Sequence, residues 1–184
     1  MSKENTRREF LRCALGVSAA IVLPQTSHAF SQPQLAFKDL KLHNLHTEEK
    51  ISLSYFEQGH YIPKALQDIN YLLRDHRTGD VCVMDPKLID LLFDLKNVLA
   101  VADKPLQIIS GYRSAKTNAA LHKKSKGVAT KSLHMQGKAI DIRIEGVSAD
   151  DIRAAAISLE RGGVGYYPSS NFVHIDTGNV RSWG

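Results

Sequence analysis

The strongest constraint on this chain is a pair of alternating segments near its C-terminus, Lys138–Ile144 and Asn171–Asp176. Side chains alternate across a strand. In the first segment Ala139, Asp141 and Arg143 share one face, and Ile140, Ile142 and Ile144 share the other. In the second, Phe172, His174 and Asp176 oppose Val173 and Ile175. If both apolar sets pack on helices, Asp141 and His174 are turned to the opposite side. His134 lies seven residues before Asp141, with Gly137 between them to let the chain turn back. His134 can therefore approach from a loop at the start of the first strand. Two imidazoles and at least one carboxylate, drawn from separate elements, form a divided metal-ligand pattern. Neutral imidazole and carboxylate suit Zn²⁺, and three protein ligands leave a fourth position for solvent, as in a catalytic site. As spacing alone the pattern is weak; the apolar backing of both strands strengthens it. Asp176 has three open roles: orienting a ligand imidazole, serving as a general base, or ligating directly.

The first 29 residues read as an address. Thr6-Arg7-Arg8-Glu9-Phe10-Leu11-Arg12 resembles a twin-arginine export signal. The apolar run Ala14–Leu23 is too short for a permanent membrane span. Ser27-His28-Ala29 supplies small residues at a cleavage point, and residues 30–38 read as a linker or arm before a domain over 39–184. The expected destination is the periplasm, through the twin-arginine machinery. Removing the leader leaves 155 residues, enough for one domain with its own core. The chain holds 24 Lys/Arg and 19 Asp/Glu; without the four basic and two acidic residues of the leader the balance is 20 to 17, or +3. So mild a charge permits an anionic polymer and argues against nucleic acid. Cys82 is the only cysteine after the leader, so no internal disulfide forms; its apolar surroundings predict a buried, inert thiol.

Between leader and site, 40–47 and 51–56 alternate and predict a hairpin turning near Glu48-Glu49. His43 and His46 differ by three and face opposite sides, which disfavours a metal pair. Pro63 opens a helix to about Arg77, and Asp85-Pro86 caps another to about Ala102. Pro105–Ser110 is a strand, Ser114 caps a helix to about Lys124, and 125–133 is a loop. Ser148 starts a helix to about Glu160, and Pro168-Ser169-Ser170 joins the last two strands as a hairpin. The pattern predicts an α+β fold, an antiparallel sheet with helices packed on one face. No Gly-rich phosphate loop follows a strand, so nucleotide binding has little support.

Ser110-Gly111-Tyr112-Arg113-Ser114 lies where a strand gives way to a capped helix. Arg113 there can grip a substrate carboxylate bidentately, although spacing alone favours a surface ion pair. Tyr112 and Ser132 are further candidates for substrate contact. Lys123, Lys124, Lys126 and Lys131 read as a solvated basic stretch, Tyr166 and Tyr167 as sheet packing with one able to line a cleft, and Trp183 as a packing anchor.

The segment Ser132-Leu133-His134-Met135-Gln136-Gly137-Lys138-Ala139-Ile140-Asp141, with Ser110–Ser114, resembles the zinc motif of the D-Ala-D-Ala carboxypeptidase and murein endopeptidase superfamily, which includes the hedgehog signalling domain. Gly162–Pro168, Phe172–Gly178, Asn44–Thr47 and the leader are similar to its murein endopeptidase K family. The resemblance implies a hedgehog/DD-peptidase-like fold and one zinc held by His134, Asp141 and His174. It implies a substrate of peptidoglycan peptide, cut between two meso-diaminopimelate residues, with Arg113 on a substrate carboxylate. Many relatives carry His-x-His in the last motif and bind through the second His. Here the motif is His174-x-Asp176, so either residue can be the third ligand; His174 follows the endopeptidase K pattern. A carboxypeptidase trimming terminal D-Ala and a noncatalytic zinc-containing murein-binding domain are the alternatives.

Overall fold

A computed structural model describes residues 37–125 and 127–184. The leader and the cleavage point lie outside the described residues. The elements run β1 (Phe37–Asn44), β2 (Lys50–Glu57), β3 (His60–Tyr61), α1 (Pro63–Leu72), α2 (Pro86–Val98), β4 (Leu106–Ser110), α3 (Ala115–Lys124), a 3-10 turn (Leu133–Gln136), β5 (Ala139–Ile144), α4 (Ala149–Ser158), β6 (Gly163–Tyr167), a second 3-10 turn (Pro168–Ser170), β7 (Phe172–Asp176) and β8 (Arg181–Trp183). β1 therefore begins at Phe37, inside the arm expected over 30–38, and Lys38 ties it to Asp90 of α2 at 2.7 Å.

The eight strands form one sheet in the order β3-β2-β1-β4-β5-β7-β6-β8. The fold is α+β, but the sheet is mixed and not purely antiparallel. β1 and β4 run parallel because both helices α1 and α2 intervene, and a crossover of that length returns the chain in its original direction. β6 and β8 are parallel for a different reason. β7 is already paired with β5 on one side and β6 on the other, so the tail after β7 closes on the free edge of β6.

One face of the sheet carries the core. Leu40 and Leu42, Leu106 and Ile108, Ile140, Ile142 and Ile144, and Val173 and Ile175 are buried against Ile69, Leu88, Leu92, Leu95 and Ile152 of the helices. Each such side chain contributes roughly 1.5–3 kcal/mol by leaving water. α1, α2 and α4 supply this layer; α3 buries Thr117 and Asn118 in place of an apolar stripe. It is held by polar contacts instead: the Ser114 hydroxyl donates to Asp75, and Asn118 donates to the carbonyls of Ala129 and Thr130.

The caps follow the sequence closely. Asp85 accepts from the Lys87 amide, Ser114 from Thr117 and Ser148 from Asp151. The first two long helices stop short of expectation. α1 ends at Leu72 because Asn44 Nδ2 and the Tyr112 amide donate to the carbonyls of Leu72 and Leu73, which another helical turn would have used. α2 ends at Val98, and Ala100 takes a φ of 54°. Cys82 departs from the buried thiol predicted. Residues 79–85 form no strand, Val81 and Val83 are exposed, and Cys82 is half-buried with its thiol free. Of its apolar neighbours only Met84 joins the core, because this stretch runs as an irregular connection between α1 and α2. Among the described residues no helix is long and apolar enough to cross a membrane.

Candidate metal centre

The site lies on the sheet face opposite the core, where Asp141 of β5 pairs in register with His174 of β7. The 3-10 turn brings His134 over them. Ser132 caps that turn by accepting from the His134 amide at 3.3 Å. Gly137 ends it at φ 66°, in a position where a Cβ would meet the Val83 carbonyl at 2.5 Å.

Two anchors set the orientation of the imidazoles. His134 Nδ1 lies 2.7 Å from the Gly111 carbonyl, which can only accept, so Nδ1 carries the proton and Nε2 presents its lone pair. His174 Nε2 lies 3.1 Å from Asp176 Oδ2, which leaves Nδ1 as its free nitrogen. The inward atoms converge: His134 Nε2 is 3.2 Å from Asp141 Oδ1 and 3.2 Å from His174 Nδ1, and His174 Nδ1 is 2.8 Å from Asp141 Oδ1. His134 and Asp141 are buried and His174 is half-buried. Two imidazole lone pairs and a carboxylate oxygen facing one another repel unless a proton or a cation sits among them. Bonds of about 2.0–2.1 Å in a tetrahedral zinc site place ligand atoms about 3.3 Å apart, so spacing and donor chemistry both fit that metal.

The electrostatics fit a positive charge held among these atoms, whether a proton or a cation. Burial holds His134 below the usual imidazole range, against the pull of Asp141. Burial acts the same way on His174, but its hydrogen bonds to Asp141 and Asp176 outweigh it and raise the group. Asp141 stays well below the ordinary carboxylate range: burial raises it, and its contacts with His134, His174 and Arg113 overcome that. Neutral His134 beside an ionised Asp141 is the state a divalent cation requires.

Asp176 is fully buried, lines the cleft over the site and is not one of the three side chains whose ligand atoms converge. Its Oδ1 accepts from the amides of Gly163 at 3.0 Å and Gly178 at 2.8 Å, and Arg181 donates to both oxygens at 3.1 and 2.6 Å. These bonds and the His174 contact outweigh burial and hold its carboxyl low. Arg113 donates from Nη2 to Asp141 Oδ2 and from Nε to Ser110 Oγ, the latter at 2.8 Å. The β4 irregularity between Ile108 and Ser110 aims Ser110 at this contact.

A cleft of about 450 Å³ opens over the three inward atoms, lined among others by Arg113, Ser132, Lys131, Tyr167, Phe172 and Trp183. Tyr112 does not line it; that ring packs against the hydrophobic core. His43 and His46 are elsewhere: His43 meets Glu48 at 3.0 Å, and His46 stacks on His76 with centroids 3.9 Å apart. Lys123 and Lys124 are exposed on α3, and Lys126 lies outside the described residues.

Trp183 is more than a packing anchor. Its ring lies over Gly165, where a Cβ would come within 2.5 Å of it, and its centroid is 5.3 Å from that of His174. Its indole N–H donates to the Tyr167 hydroxyl at 3.1 Å, and Tyr167 stacks on Phe172. Sequence reasoning gave no role to Arg181. A basic residue five positions after Asp176, behind a glycine that lets the chain reverse, was the available signal.

Comparison with known proteins places the chain in a family. The family described as peptidoglycan L,D-endopeptidase MepK matches residues 33–183. The protein named peptidoglycan L,D-endopeptidase MepK from Escherichia coli (strain K12) is 45% identical over 185 residues, covering 100% of both chains. A probable peptidoglycan L,D-endopeptidase MepK from Haemophilus influenzae is 42% identical over 171 residues, covering 92% of this chain and 89% of that one. No solved structure matches the chain significantly. With a family match across nearly all of the described residues and relatives aligned end to end, the chain belongs to the peptidoglycan L,D-endopeptidase MepK family.

Proposed function

We propose that this chain is a periplasmic zinc endopeptidase, exported by the twin-arginine route, that hydrolyses peptide cross-links of peptidoglycan between meso-diaminopimelate residues. We propose for it the hedgehog/DD-peptidase-like arrangement that the sequence resemblance implies. The observation that carries the activity is the convergence of two imidazole lone pairs and one carboxylate oxygen at the base of an open cleft.

His134, Asp141 and His174 would hold the metal. Bound there, zinc would polarise the scissile carbonyl and acidify water at neutral pH. The chain's own residues keep the donors aimed. The Gly111 carbonyl fixes the His134 tautomer, Arg113 holds the second oxygen of Asp141, and Asp176 holds the far nitrogen of His174. Of the roles open to Asp176, orientation is the one its contacts support, because both oxygens are already engaged by Gly163, Gly178 and Arg181. Arg113 also adds positive charge to the cleft wall, beside Lys131 and Arg181, where an acidic peptide would be drawn in. We assign it the substrate carboxylate as well as Asp141.

Zinc-loaded protein incubated with defined cross-linked and uncross-linked muropeptides tests this reading by product mass. Conversion of cross-linked dimers to monomers is the expected result. Loss of terminal D-Ala alone would establish the carboxypeptidase instead, and binding without cleavage would establish a noncatalytic zinc domain.

A further inference from the structure

The polar face of the sheet does not end at the metal centre. On β5, Arg143 follows Asp141 on the same face, about 7 Å further along the strand. It pairs in register with Gln107 of β4. On the other side, the register Ile142 to Val173 carries Phe172 to the level of Arg143, and Phe172 pairs with Tyr167. The face therefore has two adjacent rows: Asp141 and His174 in the first, then Gln107, Arg143, Phe172 and Tyr167 in the second. The two rings of the second row stack with centroids 4.5 Å apart.

Arg143 differs from its peers. Among the described residues the other half-buried arginines each meet a carboxylate: Arg74 meets Glu49 at 2.8 Å, Arg153 meets Asp150 at 3.7 Å, and Arg113 meets Asp141. Arg143 instead donates its Nε–H to the neutral Gln107 side-chain oxygen at 2.9 Å. That bond fixes the plane of the guanidinium without neutralising it. Both terminal nitrogens remain as a planar fork, which matches a carboxylate bidentately. A cavity of about 560 Å³ opens over this pair, bounded by Glu145, Gly146, Ser148 and Asn171. Asn171 lines this cavity and its neighbours Ser170 and Phe172 line the cleft over the metal centre, so the β6–β7 turn borders both.

We propose that Arg143, held by Gln107, is a carboxylate-binding subsite that reads the part of the substrate peptide remote from the scissile bond. The stacked Tyr167–Phe172 pair provides the apolar floor between the two positions. This subsite rests on the endopeptidase reading above. It makes Arg143 a specificity determinant with no contact to the reacting atoms.

The test compares a synthetic cross-linked peptide dimer bearing free carboxylates with the same dimer carrying carboxamides, using zinc-loaded protein. Arg143→Gln is expected to raise KM for the free-carboxylate dimer about ten- to a hundredfold, with kcat and zinc content held. The carboxamide dimer, already a poorer substrate of the wild type, is expected to lose nothing further. Arg143→Lys should recover part of the loss, and it decides the matter if the Gln variant does not fold. Equal losses on both dimers, or no change in KM, would overturn the subsite while leaving the endopeptidase intact. Cleavage of neither dimer by wild-type protein would overturn the functional reading and the subsite with it.

Discussion

His134→Ala is expected to lose bound zinc and peptide hydrolysis together, with turnover down by about a thousandfold or more. The size follows from what the residue does. A metal that polarises a carbonyl supplies several kcal/mol of transition-state stabilisation, and each 1.36 kcal/mol is a factor of ten. His134 is 1% exposed and its Nδ1 is committed to the Gly111 carbonyl, so no neighbouring side chain can move in to replace Nε2. The variant should still fold, because the imidazole belongs to the polar face and not to the apolar cluster under the helices. Metal content by elemental analysis and product formation by mass should therefore fall in parallel while the thermal transition remains cooperative. Retention of full activity would remove His134 from the site.

Asp176→Asn addresses the division of labour between Asp176 and His174. If Asp176 orients His174, the substitution weakens zinc binding by about ten- to a hundredfold, and added zinc restores much of the turnover. Competition against a chromophoric chelator measures the affinity. If Asp176 instead carries a proton, zinc affinity is unchanged and the loss appears in kcat with an altered pH profile. The structure favours the first outcome through Arg181, which meets both carboxylate oxygens and keeps them ionised. The amide variant also leaves Arg181 without its counter-charge, so a modest loss of stability should accompany the change.

Much of this arrangement is legible in the amino-acid sequence. Alternation over Lys138–Ile144 and Asn171–Asp176 predicts which faces are polar, because a strand has a fixed period and the isoleucines leave only one way to bury it. The Asp85-Pro86 and Ser114 caps are equally local, since cap chemistry involves residues two or three apart. What local pattern cannot carry is pairing across distance. The parallel β1–β4 contact depends on where a long crossover lands, and β8 exists because β6 has a free edge. The same holds within the site. His134 is oriented by Gly111 and Asp141 by Arg113, contacts spanning 23 and 28 residues. Cys82 fails for a related reason: an apolar run reads as buried, yet Val81 and Val83 have no sheet or helix to pack them.

Diffraction from crystals of zinc-loaded protein, recorded on either side of the zinc absorption edge, tests the central claim most directly. The expected result is one anomalous peak about 2.0–2.2 Å from His134 Nε2, Asp141 Oδ1 and His174 Nδ1, with Asp176 outside that shell. A peak bonded to Asp176, or zinc bound away from these three atoms, would contradict the account.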